Sequence, residues 1–266
     1  MRPFFISIPH AGEVVPTEAT WLRDLKEPIL MCDTDRFVDR LYLPTIIKLG
    51  LPNVIAEFHR YVVDLNRWPE DVDCESVQGS KNKSGLHPKG FHWYITTQGQ
   101  RVMDKPMTQA LHEKFVKMYF EPFHSEIRKK FAEMKKSGAR EVYHLDAHSM
   151  PSRGGAMHED PGETRAQIVI SDFKGKSCNR WFLDLVVSAY EKADFQTRVN
   201  WPYIGGRITQ TYGQPEKGQN TIQVEMNRAL YMDEQTKKWQ SAEATEVQKK
   251  LEQALSEIYN NVPEIT

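Results

Sequence analysis

The stretch Glu141–Gly155, EVYHLDAHSMPSRGG, narrows the possible folds more than any other part of the chain. Its apolar run, Val142 to Leu145, predicts a buried strand. That run ends abruptly in Asp146, Ala147, His148 and Ser149, and a Pro- and Gly-rich loop follows. A strand that carries an Asp-x-His pair into such a loop presents polar side chains at the rim of a sheet. In open α/β sheets that rim is where ligands bind. His148 is therefore expected to ligate a metal, with Asp146 hydrogen-bonded behind it.

The remaining segments supply strands and helices in alternation. Phe4–Ile8 predicts a first central strand that meets Pro9 and His10. Thr17 opens a short helix to about Lys26. The carboxylate-rich CDTDRFVD, Cys32 to Asp39, opens a helix with an apolar face of Phe37, Val38, Leu41, Ile46 and Ile47, closed by Gly50. Val54–Phe58 and Tyr61–Leu65 are β-like, and Phe91–Thr97 predicts a strand or hairpin. Between them, Asn66 to about Gly90 is polar and irregular, a length of loop that is usually functional or disordered. Pro106–Ser137 has a helical pattern that Pro122 must kink or break. After the organising strand, Gln167–Ile170, Thr197–Val199 and Thr221–Glu225 predict strands. Ser177 is expected to cap a helix over Asn179–Lys192. Tyr203–Gln219 is turn-rich, and the tail from about Asp233 to Asn260 is an amphipathic helix. The expected architecture is α/β: one domain over residues 1–266, a three-layer sandwich around a mostly parallel or mixed sheet.

Composition removes several classes of function. With 39% hydrophobic and 27% charged residues the chain is ordinary globular protein. A net charge of −1 and a pI near 6.8 give no electrostatic footprint for nucleic acid or an anionic membrane. The three cysteines, Cys32, Cys74 and Cys178, form no CxxC pair or disulfide framework, which points to a reducing compartment. No stretch approaches the apolar length of a membrane span, and Met1–Glu13 has no signal-like apolar core. A soluble cytoplasmic protein is expected.

Five groups of polar residues fall where a sheet rim gathers them. They are His10 with Glu13; Asp33 with Asp35; Arg60 with Asn66 and Arg67; His148; and Glu225 with Asn227 and Arg228. A hydrolytic zinc takes three nitrogen or carboxylate ligands and keeps one position for water. Two histidines and one carboxylate meet that need. A further carboxylate must take the water's proton, and Glu225, at a strand end, is free for it. Planar donors such as Arg60, Arg67 and Asn66 suit a substrate carboxylate. Each residue also has a plainer reading. Glu13 suits a helix N-terminus, Asp33 an N-cap, Arg67 a stack on Trp68, and Glu225 an ion pair with Arg228.

Taken together, SIPHAGE, DTDRFVDRLY, RYVVDLNR, HLDAHSMPSRGG, GGRITQTYGQP and IQVEMNRALYMDE resemble the successive motifs of the N-formylglutamate amidohydrolases, in order, from Ile6 to Glu234. The resemblance implies a fold related to the zinc exopeptidases and hydrolysis of an N-acyl amino acid amide, N-formyl-L-glutamate being the named substrate. It implies Zn2+ or another divalent ion on His10 and His148, a substrate carboxylate on Asn66, Arg67 and Arg60, and Glu225 as general base. For the third ligand, the H-x-x-E match implies Glu13. The D-T-D segment, which the family retains where it lacks that glutamate, implies Asp35 and, less readily, Asp33; Asp35 is preferred. Arg153 and Arg207, in Gly-flanked loops, are expected to add a contact to a second carboxylate or to the oxyanion.

The expected partner is a small acidic N-acyl amino acid or peptide. The rivals are the same chemistry on another N-acyl, γ-glutamyl or cell-wall peptide amide, a carboxylate-binding protein without turnover, and a metal-dependent phosphoesterase.

Overall fold

The computed structural model describes residues 2–265. In chain order its elements are β1 (Phe4–Ile8), α1 (Glu27–Leu30), α2 (Val38–Leu49), β2 (Asn53–Ile55), α3 (Gln109–Phe115), α4 (Glu121–Lys136), β3 (Val142–Met150) and β4 (Ile168–Ser171). They continue with α5 (Arg180–Lys192), β5 (Thr197–Val199), α6 (Arg207–Tyr212), β6 (Gln219–Asn227), β7 (Met232–Asp233), β8 (Lys238–Trp239) and α7 (Ser241–Asn261). Six strands form one sheet in the order β2-β1-β3-β6-β4-β5. Every pairing in it is parallel except β6 with β4. The sheet is mixed, and mostly parallel as the alternation of elements predicts.

Side-chain alternation sorts the central strands onto two faces. One face carries Phe4, Ile6, Tyr143, Leu145, Ala147, Ile222, Val224 and Met226, and packs against α2, α5 and α7. The other carries Phe5, Ser7, His144, Asp146, His148, Thr221, Gln223 and Glu225. That face is covered by α3, α4, α6 and an irregular wall between β2 and α3. Layers of helix, sheet and helix-plus-wall complete an α/β sandwich.

The wall has no regular secondary structure, only isolated bridges such as Lys89 with Trp93 and Ile95 with Arg101. The β-like runs Tyr61–Leu65 and Phe91–Thr97 are therefore not strands. They bury Tyr61, Val62, Phe91 and Trp93 in turns instead. Side chains satisfy the backbone there. Asp73 accepts from the N–H groups of Glu75 and His87, and Asn82 donates to the Val72 carbonyl.

Other boundaries shift for local reasons. The predicted Thr17–Lys26 helix is a single tight turn, Thr20–Leu22, with α1 beginning at Glu27. Helix α2 starts at Val38 after Phe37 adopts φ 70°, so Asp33 and Asp35 sit in the turn before it, and Ile47 faces solvent. Pro122 falls at the start of α4, directly after a wide π-type turn over Val116–Phe120 that joins α3 to α4, so the α-helical ladder is interrupted where the proline lacks an N–H. Asn179, not Ser177, caps α5, its Oδ1 accepting from Phe182 N at 2.9 Å. Strand β3 runs to Met150, so Asp146 and His148 lie within it, Asp146 between β1 and β6 and His148 paired with β6. Among the described residues no helix is long and apolar enough to cross a membrane. The three cysteines are unpaired.

Candidate active site

The carboxyl ends of β1, β3 and β6 meet the turn before α2 at one point. His10 follows β1, and its carbonyl accepts from Asp35 N at 3.0 Å, which ties that turn to the strand end. His148 is level with Glu225 in the β3–β6 register, so the two side chains leave the sheet side by side. His10 Nδ1 and His148 Nδ1 lie 3.5 and 3.1 Å from the same oxygen, Asp35 Oδ2. One donor atom from each of the three lies within 4.8 Å of the others, and all three residues are buried.

Both rings are oriented from behind. His10 donates through Nε2 to Asp64 Oδ1, and His148 donates through Nε2 to Asp146 Oδ2, each at 2.8 Å. Asp146 also accepts from Ser7 Oγ, which itself accepts from His144 Nε2 at 2.8 Å. With Nε2 protonated in each ring, both Nδ1 lone pairs face the Asp35 carboxylate. Three electron-rich atoms converge in a buried place, a donor set suited to a cation. Burial opposes charge here, yet the two histidines hold the Asp35 carboxyl well below its ordinary range. Burial likewise works against a charged His148, but Asp146 and Asp35 raise its pKa well above the usual value.

Arg228 reinforces this arrangement. Its guanidinium reaches Asp35 Oδ1 at 3.0 Å, the Cys32 carbonyl at 3.0 Å and Ser149 Oγ at 3.1 Å. It therefore serves Asp35 rather than pairing with Glu225. Glu225 is held by Gln223, whose Nε2 donates to Oε1 at 2.8 Å. Burial raises its pKa, and Asp35 adds to that against the pull of His148. A carboxylate with a raised pKa suits both taking up and giving back a proton.

These groups floor a cavity of about 760 Å³. Its walls come from the irregular wall (Arg67, Asp71, His87, Lys89, Trp93), the loop after β3 (His158, Asp160) and the segment around α6 (Tyr203, Arg207).

Of the residues singled out from the sequence, His10, Asp35, His148, Glu225, Arg60, Asn66, Arg67 and Arg207 all line this cavity. Glu13 and Arg153 do not. Glu13 is taken by Arg36 in a two-pronged ion pair, Nε to Oε1 at 2.9 Å and Nη2 to Oε2 at 3.2 Å, pointing away from His10. Arg153 is solvent-exposed on a bridge with Thr164. Asp33 lines the cavity but spends its carboxylate on Tyr61 Oη and on the amide and hydroxyl of Thr97, which fasten the wall.

The substrate-side donors differ in freedom. Arg60 is buried over Trp93 and spends Nη1 on the Asp33 carbonyl and Nη2 on Asp64 Oδ2. Its Nε is buried without a partner. Asn66 accepts from Ile208 N at 2.8 Å, a contact that a Cβ at Gly206 would obstruct at 2.2 Å from Asn66 Nδ2. Among the described residues the Arg67 guanidinium bonds only to the carbonyls of Asn66 and Lys89.

Sequence reading missed Asp64, which joins His10 to Arg60, and the part Arg228 plays. It also missed the Asp160–Arg165 pair in the cavity wall. The one available signal was the Asp64 carboxylate inside the apolar run Tyr61–Leu65, where a charge needs partners.

A family model described as N-formylglutamate amidohydrolase matches residues 2–232. N-formylglutamate deformylase of Pseudomonas aeruginosa is 30% identical over 240 residues, 88% of this chain and 83% of that one. The protein of the same name from Pseudomonas putida is 28% identical over 237 residues, 87% and 82% of the two chains. The crystal structure of N-formylglutamate amidohydrolase from Ralstonia eutropha JMP134 superposes with a TM-score of 0.86 at 24% identity, over 98% of this chain and 94% of that one. That last likeness carries the fold.

Proposed function

The chain belongs to the N-formylglutamate amidohydrolase family, and from that premise and the chemistry of the site we infer that it hydrolyses N-formyl-L-glutamate to formate and glutamate. The observation that carries the chemistry is the convergence of two histidine Nδ1 atoms on Asp35 Oδ2, with both rings locked by buried carboxylates. This donor set fits a divalent ion of the zinc class, which His10, Asp35 and His148 would hold. Bound there, such an ion makes a water more acidic and polarises the scissile carbonyl.

The chain's own residues do the rest. Glu225 takes a proton from the attacking water on its carboxylate and delivers it to the amide nitrogen as the C–N bond breaks. Formate departs with the water oxygen, and glutamate with the free amine. Gln223 fixes the Glu225 carboxylate for both transfers. Arg67 and Asn66 anchor the α-carboxylate of the amino acid, with Arg60 holding Asp64 and the wall in place beneath them.

Metal content by mass spectrometry, together with formate release from N-formyl-L-glutamate by the same preparation, tests this reading. One metal per chain with formate release is the expected result. Neither metal nor activity after adding zinc or cobalt would overturn it. A second reading rests on the cavity, whose 760 Å³ is in the range that takes drug-sized ligands, more than a formyl group requires. Faster turnover of a longer N-acyl glutamate than of the formyl compound would favour that reading.

A further inference from the structure

Six cationic side chains of arginine and lysine line the cavity, and four of them are matched by carboxylates. Arg60 is paired with Asp64 at 2.8 Å, Arg165 with Asp160 at 2.7 Å and Arg228 with Asp35 at 3.0 Å. Arg207 stands 3.6 Å from Asp71. Arg67 and Lys89 have no Asp or Glu within ion-pair distance among the described residues. They are also neighbours, since Arg67 Nε donates to the Lys89 carbonyl at 3.2 Å.

Two adjacent positive charges without a carboxylate at ion-pair distance are unfavourable in a partly buried wall, because each resists desolvation and each repels the other. Burial depresses the pKa of the half-buried Lys89 ammonium, and the Arg67 charge depresses it further, against the pull of Asp33. Such a pair is stabilised when an anion enters the cavity.

Resting on the deformylase reading, we propose that Lys89 determines specificity, taking the side-chain carboxylate of the substrate while Arg67 takes its α-carboxylate. The order follows from the chain. Arg67 is next to Asn66 and close to Asp64, which holds His10, so it stands near the reacting amide. Lys89 lines the same stretch of wall, its carbonyl accepting from Arg67 Nε, which places its ammonium beside the Arg67 subsite. The α-carboxylate sits one carbon from the amide nitrogen, and the side-chain carboxylate lies beyond it. Arginine's planar fork suits the carboxylate whose orientation fixes the reacting bond, whereas a lysine ammonium on a flexible stem tolerates the more mobile end. The site thus selects a dicarboxylate by matching two charges.

The test compares kcat/KM for N-formyl-L-glutamate and N-formyl-L-glutamine in the wild type, Lys89→Met and Lys89→Arg. The wild type should prefer the glutamate compound by roughly 10- to 100-fold, the range of a hydrogen bond between charged groups. Lys89→Met should bring that ratio close to one through a higher KM for the glutamate compound, and Lys89→Arg should restore most of it. A ratio that stays at the wild-type value in Lys89→Met, or a wild type without preference, would overturn the proposal. Calorimetric binding of L-glutamate against L-glutamine to the wild type and Lys89→Met gives an answer that does not depend on turnover. Selective glutamate binding that Lys89→Met abolishes, in a protein that releases no formate, would sink the deformylase reading and leave the subsite standing. Equal glutamate binding by the two proteins would sink the subsite.

Discussion

The two faces of the central sheet are made by the same strands and follow opposite rules. On β3, Tyr143, Leu145 and Ala147 enter a dry core against α2, α5 and α7. Between them, His144, Asp146 and His148 point to the other side, equally buried but joined by hydrogen bonds. The first face depends on volume and apolar area, which many residue combinations supply. The second depends on each donor finding its acceptor, because a buried polar group left without a partner is costly. Alternation lets one strand build a core and part of the reaction centre together, with no loop needed to carry His148.

Four changes would break or sharpen this contrast. The largest effect is expected for Glu225→Gln. It should lower kcat by roughly 100- to 10,000-fold while the protein stays folded and binds the metal proposed for His10, Asp35 and His148 as the wild type does, as steady-state kinetics and metal analysis on one sample would report. Full turnover would remove Glu225 from the chemistry. On the apolar face, Leu145→Ala should cost about 2–5 kcal/mol of stability in urea unfolding and leave the kcat of the folded enzyme near its normal value. Loss of kcat with little loss of stability would mean that the faces are not independent. Asp146→Asn tests the locking of His148 from behind. Metal affinity, measured by competition with a chelator, should fall about 10- to 100-fold. Unaltered affinity would reduce Asp146 to a structural partner.

The smallest effect concerns acid. His59, His92, His124 and His144 are buried on the polar side, and burial lowers their pKa values to about 4, 3, 4 and 4. The unfolded chain binds protons at these rings near pH 6.5, before the folded chain does. Their contribution is therefore complete above about pH 6.5 and is lost as pH falls toward the folded values, by at most about 1.4 kcal/mol per pH unit for each ring. His124→Gln, which removes a ring bonded to Tyr212 and the Leu65 carbonyl, should make stability less steep against pH over that window. An unchanged slope would exclude His124 from the acid response.

The apolar face was open to sequence reading because its pattern is periodic. Phe4–Ile8 and the helices with one apolar stripe disclose their partners by spacing alone. The rim was partly readable for a related reason, since His10, His148 and Glu225 each close a run that an interior strand requires. Asp35 was harder to place, because a carboxylate before a helix has a common capping role. The choice against Glu13 depends on Arg36, twenty-three residues on, turning back to bind it. The parts that Asp64 and Arg228 play were hidden because His10 and Asp35, which they bind, come from distant segments. Of the wall, Asn66 to about Gly90 reads as loop and is one, whereas Tyr61–Leu65 and Phe91–Thr97 read as β and are not, because order there comes from side chains such as Asp73 and Asn82 bonding to backbone, which leaves no periodic trace.

That wall has a consequence for how such a protein can change. Between β2 and α3 it contributes no strand to the sheet and no regular helix, so its length and composition are not coupled to any strand register. Apart from Arg60, Tyr61, Asp64 and Thr97, which tie the wall to His10 and Asp33, residues can be inserted, deleted or exchanged there while His10, Asp35, His148 and Glu225 keep their spacing, because other elements carry those four. Arg67, Lys89 and Trp93 belong to this replaceable part. For protein engineering the molecule therefore divides into a fixed hydrolytic floor and an interchangeable cuff, and transplanting the cuff from a relative is the direct route to a different acyl amino acid.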